Sequence, residues 1–174
     1  LKQQSDDYLV SDILIFAKVI IDKKSPFLKS VIINKGSRDG LKLGMSILDK
    51  NYLVGKIVEV NYSTSRVLLL SDINSNIPVT ISPNYVQANV VGSGILSGKI
   101  NFLPKKFFSK IKSGSIVYTS GTAGIFKSGI PVGRVKDFDP NSSKEIQIDF
   151  FSDFSQLQYV SVRSFIEKDI KSAF

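Results

Sequence analysis

A chain of 174 residues, 43% of them apolar, is long enough for one domain or two small ones around a packed core. It contains no cysteine and no histidine, which excludes disulfides, cysteine-based metal sites and a Ser-His-Asp triad, and removes the commonest general base. The net charge of +8 is unevenly placed: residues 73–136 hold eight of the 23 basic residues and none of the 15 acidic ones, so the remainder of the chain is balanced.

The chain opens on Leu1 rather than Met, as expected of a fragment or a processed form. Residues 1–14 are polar at the start and free of Gly and Pro, with Leu1, Tyr8 and Ile15 seven apart. They are expected to be the end of a helix. The longest apolar run, 13–21, is interrupted by Lys18 and is too short to cross a bilayer. No signal peptide is visible.

From Ala17 onward, short β-branched and aromatic runs alternate with Gly, Asn, Ser, Asp and Pro. Strands are expected near 17–21, 27–34, 45–50, 53–60, 66–71, 76–81, 87–91, 94–103, 115–120, 131–138, 144–150 and 158–166. In EIQIDF, Ile146, Ile148 and Phe150 alternate with Glu145, Gln147 and Asp149, the period of a half-buried strand. Twelve short strands with almost no helical periodicity argue for an all-β sandwich or barrel.

The strands also repeat. Leu43-Gly44-Met45-Ser46-Ile47 is echoed by Ser113-Gly114-Ser115-Ile116-Val117. Val54-Gly55-Lys56-Ile57-Val58-Glu59-Val60 matches Val132-Gly133-Arg134-Val135-Lys136-Asp137-Phe138 in step. Ser65 and Ser143 each follow their Gly by ten, each before an apolar strand, and each copy then continues into a further strand, IPVTI (77–81) or YVSVRSF (159–165). Two related β units in tandem are expected: a first over 15–75 and a second over 76–168, followed by a tail, 169–174. The last strand, 158–166, either closes the second unit or returns to the first.

The segment TSGTAGIFKSGIPVGRV (119–135) has the look of a phosphate-binding loop. Counted back from Lys127-Ser128, that motif requires Gly at 121 and at 126. Gly121 fits, but Phe126 blocks the close backbone approach that a phosphate needs. The motif also needs a helix directly afterwards, and Gly129, Pro131 and Gly133 interrupt one. In a β unit these residues have a different use: Gly for corners and bulges, Pro131 for a strand start or edge.

Five lysines fall in KINFLPKKFFSKIK (99–112). Lys99, Lys105, Lys106, Lys110 and Lys112, with Phe107 and Phe108, are the candidate partner-binding residues. Such a patch suits an acidic partner or anionic lipid headgroups, and a plain solvated surface is the alternative. Phe107 and Phe108 are either an exposed interface pair or core residues. Two other function classes stay open. A double-barrel hydrolase would have to use a Ser-Lys arrangement such as Ser128 with Lys127, although neighbours on a strand point to opposite faces. An OB-like nucleic-acid-binding module fits the high pI, but no RNA or DNA motif appears.

The stretches INKGSRDGLKLGM (33–45), YLVGKIVEV (52–60), SRVLLLSDINSNIPVTI (65–81) and VYTSGTAGIFKSGIPVGRV (117–135), in this order, resemble the extracytoplasmic part of the bacterial rod-shape-determining MreC family. The structural signature within them is Gly36, Gly40, Gly44, Gly55, Gly121, Gly124, Gly129, Pro131 and Gly133. The chain departs from the family pattern at Lys127, where Pro is usual, and at Gly114-Ser115, where Gly-Asp is usual. The resemblance implies two six-stranded β-barrels, with residues 1–14 as the end of a dimerising coiled coil and a membrane helix upstream. It implies a non-enzymatic scaffold of the cell-wall elongation machinery that maintains rod shape outside the inner membrane. The partners implied are MreD, RodA and the class B penicillin-binding transpeptidase. No cofactor, metal or nucleic acid is expected.

Overall fold

The computed structural model describes residues 10–20, 29–94, 97–122, 126–142 and 144–167. Twelve strands run through them: β1 (Val10–Ile20), β2 (Ser30–Ile33), β3 (Ser46–Asp49), β4 (Tyr52–Val60), β5 (Ser65–Leu69), β6 (Asn76–Ile81), β7 (Val86–Gly92), β8 (Ser97–Asn101), β9 (Ile116–Thr119), β10 (Pro131–Val135), β11 (Gln147–Phe150) and β12 (Tyr159–Glu167). Each segment expected as a strand holds one of them. Alternation decides their faces: β5 buries Ser65, Val67 and Leu69, and β6 buries Ile77, Val79 and Ile81.

The strands close into two six-stranded antiparallel barrels. Around the first the order is β12-β3-β4-β5-β2-β1, and around the second β6-β9-β10-β11-β8-β7. The two orders superpose term by term when six is added to each number and β12 is matched to β6. The barrels are therefore copies of one unit with their sixth strands exchanged. The chain builds β1 to β5 in the first barrel, then sends β6 into the second. It builds β7 to β11 there, then sends β12 back to the first.

The repeat read from the sequence is the hinge of this unit. The N–H of Gly44 donates to Ile57 O at 2.8 Å, and the N–H of Gly114 donates to Val135 O at 2.8 Å. Ile57 N–H returns to Met45 O, and Val135 N–H to Ser115 O. Both strand pairs slip register at matching places, between Ile47 and Leu48 in one and between Pro131 and Gly133 in the other. These are bulges that bend a barrel wall. At Gly55, a Cβ would lie 2.1 Å from Leu68 O; at Gly133, one would lie 2.3 Å from Asp149 O. Gly is required there because the adjacent strand's backbone occupies the side-chain space. Gly44 (φ 84°) and Gly114 (φ 82°) have open space and are Gly for their left-handed backbone instead. Gly40 (φ 87°) ends a short 3-10 turn, Ser37–Asp39, in the same manner, and Gly36 lies against the backbone of Asn61 and Tyr62.

The buried side chains of the two barrels form one apolar cluster, including Val31, Ile47 and Val162 of the first and Val79, Val117 and Ile148 of the second. β4 and β10 face each other across the junction. Tyr52 at the head of β4 packs on Phe151 just beyond β11, with ring centroids 4.9 Å apart. Ser152 Oγ donates to Asp49 Oδ2 at 3.1 Å. The connection into β6 is held where Gly94 N–H donates to Ser71 O. The connection into β12 is plugged by buried Phe154 and Leu157.

Two expectations need correction or completion. The helix end over 1–14 does not reach residue 14: residues 1–9 lie outside the described residues, and 10–14 belong to β1. β12 pairs with β1 from Val10↔Glu167 to Lys18↔Tyr159, and this ladder satisfies a backbone that a single turn of helix would leave open at its end. The last strand belongs to the first barrel, between β1 and β3, so the second barrel ends with β11.

Two outcomes follow for stability. Because the second barrel is inserted between β5 and β12 of the first and the two share one apolar cluster, urea unfolding should be a single transition, coincident by circular dichroism and tyrosine fluorescence. A chain ending at Leu157 should lose the folded first barrel; two separate transitions in the intact chain would contradict the exchange as a coupling. Gly55→Ala and Gly133→Ala should each destabilise by about 3 kcal/mol, as overpacking against backbone does. Gly44→Ala and Gly114→Ala should cost about 1–2 kcal/mol, the left-handed penalty alone, in the same urea titrations.

Candidate functional site

The structure divides the candidate residues. Lys99 lies on β8, and its Nζ is 3.3 Å from Glu145 Oε1 across the ladder to the β11 side. Lys136 Nζ likewise meets Asp149 Oδ1 at 3.2 Å. The acid-free stretch is thus partly neutralised by carboxylates from the β11 segment, which sequence distance concealed. Lys105–Lys110 forms a 3-10 turn after Pro104. Phe107 and Phe108 are half-buried and pack on the core, so they anchor the turn and are not an exposed pair. Lys106 and Lys110 place Nζ 5.1 and 5.5 Å from the Phe107 ring centroid, a cation–π arrangement. Lys105, Lys106, Lys110 and Lys112 are exposed and form no ion pair among the described residues.

The loop between β9 and β10 is pinned. Thr119 is buried; its hydroxyl donates to Lys127 O and accepts from Ile130 N–H at 3.0 Å. Gly129 (φ 86°) returns an N–H to Thr119 O. Phe126 is buried and plugs the loop from inside. At Gly121 (φ 71°) a Cβ would come 3.0 Å from Ser128 Cβ. Gly124 lies outside the described residues. Pro131 opens β10 at the bulge. The lysine that first suggested a phosphate loop presents its carbonyl to Thr119 inside a closed hairpin, and Ser128 beside it is exposed.

Sequence reasoning missed two features. The first is the outer face of β1, where Leu14, Phe16 and Ile20 are exposed while Ala17 and Val19 point into the barrel. Phe16 is 69% exposed, and Tyr159 on the adjoining β12, opposite Lys18, is 65% exposed. The signal was available in ILIFAKVI, which is apolar at both parities where a barrel wall needs one apolar face. The second is a pair of exposed loop aromatics on the second barrel, Tyr85 and Phe102.

A family model described as "Rod shape-determining protein MreC, barrel core" matches residues 19–164. The cell shape-determining protein MreC of Cereibacter sphaeroides is 35% identical over 144 residues, which cover 83% of this chain and 46% of that protein. The chain therefore spans about half the length of such a relative. The crystal structure of MreC from Pseudomonas aeruginosa superposes with a TM-score of 0.78 at 29% identity, covering 86% of this chain and 98% of that one. A complex between the penicillin-binding protein PBP2 and MreC from Helicobacter pylori matches with a TM-score of 0.63 at 18% identity, covering 87% of this chain and 98% of that one, a likeness of fold. The family match runs from the end of β1 into β12, through both barrels and the exchanged strands that join them, and this chain belongs to the MreC family of rod shape-determining proteins.

Proposed function

We propose that this chain is the partner-binding barrel region of a non-catalytic scaffold in the bacterial cell-wall elongation machinery, acting on the periplasmic face of the inner membrane. The observation that carries the reading is the apolar outer face of β1 and β12. Leu14, Phe16, Ile20 and Tyr159 stand on adjacent strands, with Ile20 paired to half-buried Ile32 of β2. Lys18 and half-buried Arg163 stand among these side chains on the same face; clustered exposed apolar side chains with charged neighbours belong to protein-binding sites, and Phe16 and Tyr159 supply the aromatic anchors that such interfaces rely on.

The partner proposed is a class B penicillin-binding transpeptidase. The support is the Helicobacter pylori MreC, of the same fold, which has been solved in complex with PBP2. By the same reading the whole protein works beside MreD and RodA, is tied to the membrane by a helix upstream of Leu1, and self-associates through an upstream coiled coil.

The test is direct binding of this chain to the periplasmic part of the transpeptidase from the same cell, measured by calorimetry. Phe16→Ser with Tyr159→Ser is expected to weaken binding at least tenfold, about 1.4 kcal/mol, while leaving the urea midpoint unchanged. Equal binding by the variant would remove this face from the proposal. Absence of binding by the unaltered chain would remove the transpeptidase as its partner.

A further inference from the structure

We propose that the loop end of the second barrel is a membrane-contact surface that takes the headgroup layer of an anionic lipid bilayer. This goes beyond the scaffold reading, because it gives the barrel itself a bilayer contact on a different surface from the β1–β12 face.

Two connections build this end. The tip between β6 and β7 spans residues 82–85, and the crossover from β8 to β9 spans residues 102–115. Asn84 Nδ2 donates to Lys110 O at 2.8 Å and ties them together. Asn101 pairs with Asn89, so Phe102 emerges on the side of the barrel where the β6–β7 tip lies. Tyr85 (φ 55°) and Phe102 (φ 59°) both hold the left-handed backbone that bulky residues avoid. They are also 74% and 77% exposed, so neither ring is compensated by burial within the chain. A backbone outlier that places an aromatic ring in solvent points to a use outside the fold.

On the same crossover as Phe102 stand Lys105, Lys106, Lys110 and Lys112, exposed and without an ion pair among the described residues. Asp137, on the neighbouring β10–β11 connection, pairs with none of them. The first barrel provides an internal comparison. Its corresponding crossover, from β2 to β3, makes the short turn Ser37–Asp39, in which Asp39 lies 4.0 Å from Lys35 and 3.7 Å from Arg38. The unit therefore folds without a run of unpaired lysines, and their presence in the second copy is not a requirement of the barrel.

The chemistry selects the occupant. All four cations are lysine. Protein interfaces are enriched in Arg and depleted in Lys, and carboxylate recognition favours the forked guanidinium. Lysine on a flexible stem suits a diffuse anionic surface, where the stem snorkels and the ammonium stays among phosphates. Aromatic rings carried on exposed loop tips suit the bilayer interface, whereas a nucleic acid strand would be held in a groove lined with stacking platforms.

The chain has no tryptophan, so Phe102→Trp creates a single reporter at the proposed contact. With vesicles of phosphatidylglycerol and phosphatidylethanolamine, its emission should shift to the blue and be quenched by brominated acyl chains. With phosphatidylcholine vesicles it should do neither. The partition constant should fall at least tenfold between 50 and 500 mM salt, and at least tenfold when Lys105, Lys106, Lys110 and Lys112 are changed together to Gln. Tyr85→Trp serves as the second reporter, and Phe102→Ser with Tyr85→Ser should weaken co-sedimentation with the anionic vesicles. No association at low salt, equal association with neutral vesicles, or indifference to the lysine changes would overturn the proposal. Tighter binding of soluble glycerophosphoglycerol or of polyglutamate than of vesicles would also overturn it, in favour of a small phosphate site or an acidic protein. The lysine variant should still bind the transpeptidase as the unaltered chain does, so failure here and failure of the scaffold reading are separate results.

Discussion

The second barrel is one continuous segment, β6 to β11, set between β5 and β12, so the first barrel closes only when the chain returns from the second. β3 has β4 on one side and β12 on the other, while β9 has β10 and β6. A closed barrel has no edge, and removing the exchanged strand reopens two edges at once. Closing the first barrel with β12 therefore also fixes the second barrel beside it. The exchange accounts for the single apolar cluster through both barrels, since the strands that close each wall are continuous with the connections crossing the junction. Most contacts in the fold are correspondingly distant in sequence, with β1 and β12 as the extreme case, a topology expected to fold slowly.

The sequence carried the strands because β-branched alternation and Gly, Asn and Pro punctuation are local signals. It carried the repeat because the bulge and corner need the same residues in both copies: Gly where a Cβ would come within 2.3 Å of a neighbouring backbone, and Gly where φ is positive. The exchange was only partly legible: the bounds put IPVTI in the second unit although the repeat made it the continuation of the first copy, and 158–166 was left open between the two units, because nothing local distinguishes closing a barrel from leaving it. The start of β1 was read as helix because residues 1–14 are polar at the start, lack Gly and Pro, and space Leu1, Tyr8 and Ile15 by seven, a spacing that two intervals cannot distinguish from chance. On the same strand, Ala17 and Val19 point into the core while Leu14, Phe16 and Ile20 are exposed.

Duplication separates what the fold requires from what each copy has acquired. The hydrogen bonds at Gly44 and Gly114, the matching register slips and the buried apolar residues recur in both barrels. The surfaces do not. The first barrel carries the apolar face of β1 and β12 and pairs the charges in its crossover turn. The second lengthens that crossover, loads it with lysine, anchors it with Phe107 and Phe108, and inserts the hairpin loop plugged by Phe126. The glycine-rich loop, conspicuous in the sequence, belongs with the structural elements: Thr119 and Phe126 close it from within.

The two acquired surfaces lie on different barrels, and the exchange fixes how those barrels sit. A flexible linker would let each surface find its own partner and would transmit no orientation between them. Here β6 and β12 cross in opposite directions, and Tyr52 on Phe151 and Ser152 on Asp49 brace the junction. A rotation of one barrel against the other would have to break these junction contacts and strain both connections at once, where a single linker would only bend. For a chain whose proposed work is to hold a synthase in a set relation to a membrane, that rigidity is the functional property.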